Sequence, residues 1–262
     1  MSQPAPTRAP FLRCQEITVR FGGVLAVDGV SLEVESGGEV VGLIGPNGSG
    51  KSTFVNAVTG LVPVARGSVE VEGSPIRLGQ PGAIARHRVF RTYQTPQIAP
   101  MSTCLDNILV SSPDRRLRGY FGAWLARPWM YKVEKERWRK GCAALERVGL
   151  SARANHIAGG LSYGERRRLE IARAIVAEPR LLLMDEPAAG LNTTETEQLA
   201  ELLVGLTGDG LSLVVIEHKI AFIERLCQRV VVLELGHQIA TGAPQDVWSD
   251  PAVMDAYLGE AV

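Results

Sequence analysis

Long apolar runs are missing from this chain of 262 residues. No stretch reaches the roughly 18 apolar residues that a membrane-crossing helix needs, so the chain is not expected to span a bilayer by itself. Net charge is missing too. Lys plus Arg number 28 and Asp plus Glu 28, which removes the global field that draws a protein onto nucleic acid. Cysteine is sparse: Cys14, Cys104, Cys142 and Cys227 are scattered, with no Cys-x-x-Cys pair and no His at ligand spacing. That pattern reads as reduced thiols rather than metal ligands or disulfides. Residues 1–10 are Pro-rich and lack the apolar core of a signal peptide, so they read as a disordered tail. The remaining length is enough to bury one large α/β core, with room for a subdomain.

What is present is a phosphate cradle. Gly45-Pro46-Asn47-Gly48-Ser49-Gly50-Lys51-Ser52-Thr53 follows the apolar run Val40, Val41, Leu43, Ile44, which reads as a buried strand. It precedes Phe54, Val55, Ala57 and Val58, which read as the first turns of a helix. Between a strand and a helix, the spacing G-x-x-x-x-G-K-S lets successive backbone N–H groups converge on one anion. The helix N-terminus adds partial positive charge. Lys51 would reach the β- and γ-phosphates of a nucleoside triphosphate, and the Ser52 hydroxyl would ligate Mg²⁺.

The rest of the chain reads as two regimes. Residues 11–44 alternate in the strand manner through Ile17, Val19 and Phe21, then Val30, Leu32 and Val34. Further strands are predicted near 67–72 and 88–93, and together these segments suggest a small antiparallel layer on the nucleotide core. Residues 96–158 offer no convincing strand and read as a helical insertion, with Trp138, Cys142 and Leu145 on one face of a long helix at 131–149. Helix–strand alternation then returns: a helix at 163–177, a strand at 181–184, a helix at 194–207 and a strand at 213–216. Alternation of that kind predicts a parallel sheet covered on both faces.

Leu181 to Met184 lead into Asp185-Glu186-Pro187, placing two carboxylates where ligands of α/β sheets gather. Asp185 can hold Mg²⁺ and Glu186 can polarise the water that attacks a γ-phosphate. Leu161-Ser162-Tyr163-Gly164-Glu165 opens the next helix, with Ser162 and Glu165 at capping-box spacing. Arg166-Arg167-Arg168 reads as the solvated face of that helix.

Taken together, these motifs resemble the ATP-binding subunits of ATP-binding cassette (ABC) transporters over roughly residues 11–260, all in family order. The phosphate loop looks like the Walker A motif, Leu161 to Glu165 like the family signature, and Leu181 to Glu186 like Walker B. The resemblance implies an α/β P-loop NTPase (RecA-like) core with an antiparallel β subdomain and an α-helical insertion subdomain at about 96–158, within one ATPase domain at 11–262. It implies ATP and Mg²⁺ as cofactors and ATP hydrolysis coupled to transport. Phe21 would stack on adenine. Gln94, after Arg91-Thr92-Tyr93, would contact Mg²⁺ and the attacking water. Ser162 and Gly164 would reach the γ-phosphate of ATP held by a second subunit, and Ala189-Gly190-Leu191-Asn192 would lie between the two sites. His218 would contact the γ-phosphate of its own site.

Within the family, Arg91 to Pro96, the Tyr of the signature, Ala188 to Asn192, Ile216-Glu217-His218, and Gly242 to Glu260 resemble the branched-chain amino acid importer ATPases, the larger of the two. That implies two membrane permeases, a second ATPase subunit in a head-to-tail pair, an extracytoplasmic solute-binding protein and no nucleic acid. It places the subunit on the cytoplasmic face of the bacterial inner membrane. An exporter motor, such as one for lipopolysaccharide, and a soluble ABC ATPase remain alternatives. The sequence departs from the family at Glu165 (often Gln), at Lys219 (often Asp) and at Asn192-Thr193-Thr194, which lacks a Pro. Between Arg115 and Lys140, basic residues outnumber acidic ones among Tyr120, Phe121, Trp124, Trp129, Tyr131 and Trp138. This segment either touches anionic headgroups near the bilayer or packs its aromatics inside a helical pair.

Overall fold

The computed structural model describes residues 9–111 and 127–258. Apolar runs build its centre. Strands β3 (Val40–Ile44), β7 (Leu181–Asp185) and β8 (Ser212–Ile216) are buried at every position, as strands covered on both faces must be. They join β6 (Val89–Arg91), β9 (Arg229–Glu234) and β10 (His237–Gly242) in one sheet of order β10-β9-β3-β8-β7-β6. Every pairing in it is parallel except the β9–β10 hairpin.

A second, antiparallel sheet has the order β2-β1-β4-β5, from β1 (Leu12–Phe21), β2 (Val24–Val34), β4 (Arg66–Val71) and β5 (Ser74–Pro75). Helix α1 (Lys51–Val58) lies between the sheets. Its Phe54, Val55, Ala57 and Val58 share a core with Ile17 and Val19 of β1 and with Val41 and Leu43 of β3. Val40 and Ile44, on the other face of β3, join the helical side instead. Each fully buried aliphatic or aromatic side chain of this kind contributes about 1.5–3 kcal/mol.

On the helical side, α2 (Cys104–Ser111), α3 (Arg127–Arg147) and α4 (Tyr163–Ile175) pack on one another. Leu105, Ile108, Leu145 and Val148 fill the space between them. Helices α5 (Thr193–Gly208) and α6 (Ile220–Leu226) cover the rest of that face, and α7 (Pro244–Val247) and α8 (Pro251–Leu258) follow β10. The chain is thus an α/β nucleotide-binding fold with an attached antiparallel layer.

Three sequence expectations change. The strand near 88–93 does not join the antiparallel layer; Val89–Arg91 pairs in parallel with Leu181–Leu183 at the edge of the central sheet. On α3, Leu145 is buried and Cys142 half-buried, but Trp138 stands on the outer side, 55% exposed. Pro10, read as tail, is already buried, while residues 1–8 lie outside the described residues. So do Tyr120, Phe121, Trp124 and the side chains of Trp129 and Tyr131.

Candidate functional site

Because β3, β7 and β8 run in parallel, the loops that leave their carboxyl ends share one edge of the sheet. The first is the phosphate loop. Gly45 has φ +141°, and a Cβ there would lie 2.0 Å from the Leu233 carbonyl oxygen. Gly50, the N-cap of α1, has φ +102° and no room either, with the Ala26 carbonyl 2.6 Å from a Cβ. A glycine N-cap has no side chain to satisfy the first N–H groups of α1, which leaves those donors for an anion. The contrast with α4 and α5 is direct. Their N-termini are closed by complete capping boxes, Ser162 with Glu165 and Asn192 with Glu195.

A cavity of about 390 Å³ opens over this loop. Asn47, Gly48, Lys51, Ser52 and Thr53 line it, with Glu186 facing them and Val24, Leu25 and Leu235 at the apolar end. The Lys51 ammonium is buried and donates to the carbonyls of Gly45 (2.8 Å) and Pro46 (2.6 Å) and to Ser49 Oγ (3.2 Å). Phe21 is half-exposed at the end of β1, paired with Val24.

The second loop carries the carboxylates. Asp185 is buried and its carboxylate accepts from Arg91 Nη2 at 2.8 Å, while Arg91 Nη1 donates to Asn56 Oδ1 on α1. The Tyr93 ring lies 5.1 Å from the same guanidinium. Glu186 takes φ +44°, a left-handed conformation that costs a non-glycine residue about 1–3 kcal/mol and persists only where its surroundings impose it. Its N–H donates to the Ile216 carbonyl at 2.9 Å, and its carboxylate accepts from Gln94 Nε2 at 2.7 Å. Gln94, 92 residues away in sequence, therefore meets the carboxylate that lines the cavity without lining it itself. Of the three residues expected to hold a divalent ion, Ser52 lines the phosphate cavity, Gln94 Nε2 is bonded to Glu186, and the Asp185 carboxylate is paired with Arg91. Among the described residues no group of three His, Cys, Asp or Glu side chains forms a metal cage. Mg²⁺ takes few protein ligands and completes its shell with phosphate oxygens and water, so a hydroxyl, an amide and a carboxylate would be a sufficient protein donor set for it.

The third loop follows β8. The Glu217 carboxylate is buried and accepts from the N–H groups of Ala188 (2.8 Å), His218 (2.9 Å) and Lys219 (3.2 Å). His218 itself is exposed and is not among the residues lining the phosphate cavity. Lys219 Nζ donates to the Ala188 (2.7 Å) and Leu191 (3.3 Å) carbonyls.

Ser162 is exposed and Gly164 buried; neither lines the phosphate cavity. The structure accounts for the residues between the two halves of the capping box. A Cβ on Gly164 would lie 2.7 Å from Glu195 Oε1, so a larger residue there would push aside the side chain that closes the capping box of α5. Tyr163 packs over Gly190, where a Cβ would sit 3.1 Å from the ring. The N–H of Ser162 holds the Glu165 carboxyl below its ordinary range.

Sequence reasoning missed Arg167. Far from lying on a solvated face, it is fully buried and donates to the carbonyls of Tyr93, Gln94 and Glu186 and to Glu170. Burial pushes the Glu170 carboxyl upward, against the opposing pull of Arg167. A run of three arginines gives no sign of this; the apolar 3.6-residue period of α4, which puts Gly164, Arg167 and Ile171 on the inner side, does.

A family model described as "ABC transporter" matches residues 27–189, more than half the chain. The chain belongs to the ABC transporter family. A second family model, for the branched-chain amino acid ATP-binding cassette transporter, matches residues 237–262. The chain is 39% identical over 254 residues to the high-affinity branched-chain amino acid transport ATP-binding protein BraF of Pseudomonas aeruginosa, covering 96% of this chain and 99% of that one. Identity and coverage are the same for the corresponding protein LivG of Escherichia coli K12. A solved ATP-binding cassette of an ABC transporter in its ADP conformation superposes with a TM-score of 0.83 at 33% identity, covering 95% and 99% of the two chains. The central sheet, the phosphate loop and the carboxylate loop described above are thus those of an ATP-binding cassette.

Proposed function

We propose that this chain is the ATP-hydrolysing motor subunit of a membrane importer for branched-chain amino acids or a related small carboxylate or amide solute. The observation that carries the reading is the 2.7 Å hydrogen bond between Gln94 and Glu186, opposite the uncapped N-terminus of α1. It sets a carboxylate and an amide where water would approach a γ-phosphate held by the loop.

In this reading the loop Gly45, Pro46, Asn47, Gly48, Ser49, Gly50 and the first turn of α1 through Thr53 bind the phosphates by backbone N–H groups. Lys51 leaves its carbonyl partners to pair with the β- and γ-phosphates. Phe21 stacks on adenine. Ser52, Gln94 and Asp185 would hold Mg²⁺, which supplies charge neutralisation across the phosphates. Glu186 polarises the attacking water, Gln94 orients it, and His218 turns toward the γ-phosphate. Ser162 and Gly164 complete the site of a second ATPase subunit in a head-to-tail pair, so ATP joins the two subunits and hydrolysis parts them.

The assembly we infer has two permeases docked on the helical subdomain at about 96–158, within one ATPase domain at 11–262. It stands on the cytoplasmic face of the bacterial inner membrane, served indirectly by an extracytoplasmic solute-binding protein and without nucleic acid. The family match over residues 237–262 supports an importer over an exporter or a soluble ATPase.

The test uses Glu186→Gln, purified with ATP from gently solubilised native membranes. The expected outcome is an ATP-bound pair that hardly hydrolyses and brings with it two multi-span permeases and a second ATPase. Near-wild-type turnover would remove Glu186 from its role. Recovery alone, or with ribosomal or nucleic-acid partners, would overturn the transport reading.

A further inference from the structure

A buried arginine ties the two halves of the hydrolytic pair together. Arg167 sits on α4, five residues after Ser162, with its side chain fully buried. Its Nη1 donates to the Tyr93 carbonyl at 2.7 Å and to Glu170 Oε2 at 2.7 Å. Its Nη2 donates to the Gln94 carbonyl at 3.0 Å and to the Glu186 carbonyl at 2.9 Å. Glu170 uses its other oxygen to accept the Tyr93 N–H at 3.2 Å. One planar fork therefore meets three separate stretches of chain: the helix α4, the loop after β6 and the residue that follows β7.

A buried ion pair is by itself a poor source of stability. Taking a guanidinium and a carboxylate out of water is expensive, and hydrophobic residues of similar volume often serve a fold as well or better. What the pair gives is geometry. Glu186 holds a left-handed φ, and its backbone is fixed at both ends, by Ile216 through the N–H and by Arg167 through the carbonyl. Gln94 is fixed twice as well, at its carbonyl by Arg167 and at its amide by the Glu186 carboxylate. Lysine could not replace this, since a point ammonium lacks the planar fork that addresses several acceptors at set angles.

We propose that Arg167, braced by Glu170, is a positioning residue that makes Gln94 and Glu186 act as one unit, so that displacement of the loop carrying Gln94 withdraws the glutamate with it. The same helix presents Ser162 and Gly164 at its start. In a head-to-tail pair, α4 thus links the nucleotide at the partner's site to the glutamate at its own. The proposal rests on Glu186 being the hydrolytic carboxylate.

The experiment measures ATP turnover, ATP affinity and thermal midpoint on the full-length subunit. Four variants are compared, with Glu186→Gln alone as reference: Arg167→Lys, the double change Arg167→Met with Glu170→Leu, and each of these added to Glu186→Gln. Arg167→Lys is expected to lower kcat at least tenfold with the Kd for ATP within twofold of wild type. The Met/Leu pair removes both buried charges but leaves the carbonyls of Tyr93, Gln94 and Glu186 short of a donor, so it is expected to lower the thermal midpoint and, assayed well below that midpoint where it is folded, to lose kcat at least tenfold with the Kd for ATP within twofold of wild type. Added to Glu186→Gln, neither is expected to lower turnover further, because residues that act as a unit are not additive. A folded Met/Leu variant with wild-type kcat overturns the proposal. So does a loss of kcat that multiplies with that of Glu186→Gln. Wild-type turnover in Glu186→Gln alone would instead sink the underlying role of Glu186, a distinguishable result.

Discussion

The ammonium of Lys219 donates to the carbonyl of Ala188 at 2.7 Å, across two loops that leave neighbouring parallel strands. From the other side, the buried carboxylate of Glu217 accepts the N–H of the same residue at 2.8 Å. Ala188 is thereby held by both polar groups of its backbone. The loop between Glu186 and Asn192 cannot shift at Ala188 without releasing one of them. Lys219→Asp puts a carboxylate where two carbonyls, of Ala188 and Leu191, need a donor. Leaving such acceptors unmet costs about 1–3 kcal/mol, so urea unfolding of Lys219→Asp is expected to show a loss in that range. Lys219→Arg, which keeps a donor, is expected to lose less than half as much.

The phosphate loop separates two reasons for a glycine. Gly48 has φ +76° but open space around a Cβ, whereas Gly45 has φ +141° and a carbonyl oxygen 2.0 Å from one. Gly48→Ala is expected to cost only the backbone strain, about 1 kcal/mol. Gly45→Ala adds a collision with backbone that cannot yield, bringing the loss to about 2–4 kcal/mol. Thermal midpoints of the two variants, each with and without ATP, check both parts. Equal midpoints would mean that the loop relaxes around the Gly45 methyl.

Much of this architecture is legible in the sequence because it is local. The strand Val40–Ile44, the glycine loop and helix α1 are contiguous, and burial, φ angles and capping all follow from adjacent residue types. The capping box of Ser162 and Glu165 is equally local. What stays hidden is set by partners far along the chain. Val89–Arg91 is only three residues long, and its sheet is decided by Leu181–Leu183, some 90 positions later. Arg91 meets Asp185 and Arg167 meets Glu186 by the same route, through tertiary packing that no spacing rule encodes. That Gln94 and Glu186 belong to one site is legible only through family resemblance, which puts both at the attacking water; their direct hydrogen bond is not legible in the sequence.

The thiols carry a pH signature. Burial pushes Cys227 up to about 12 and moves Cys14 further still in the same direction. Cys142, near the surface, is raised less. A thiol reagent at pH 8 is therefore expected to modify Cys142 in the folded protein and to reach Cys14 and Cys227 only on unfolding. For Cys227 the folded state holds its proton more tightly than the unfolded state does. Its contribution to stability is complete below the ordinary thiol pKa of about 8.5 and is lost as pH rises from there toward 12. The stability difference between wild type and Cys227→Ala should accordingly narrow between pH 8 and pH 11. A difference that stays constant over that range would mean that the site admits water.

The pair of Arg91 and Asp185 makes a sharper test of how the carboxylate loop is held. Both side chains are almost fully buried, 8% and 12% exposed, and the guanidinium also bridges to Asn56 on α1 and stacks with Tyr93. Removing one partner of such a pair leaves the other charge buried and unpaired, at about 3–5 kcal/mol. Arg91→Met alone is expected to lose stability in that range because Asp185 stays behind as an anion. Adding Asp185→Asn removes the stranded charge, and the double variant is expected to recover at least half of the loss. The two changes should therefore couple by more than about 1.5 kcal/mol in a double-mutant cycle followed by urea unfolding. Simple additivity would mean that Arg91 stabilises the edge strand through Asn56 and Tyr93 rather than through the carboxylate. Asp185 would then have to be oriented by something other than the guanidinium 2.8 Å away.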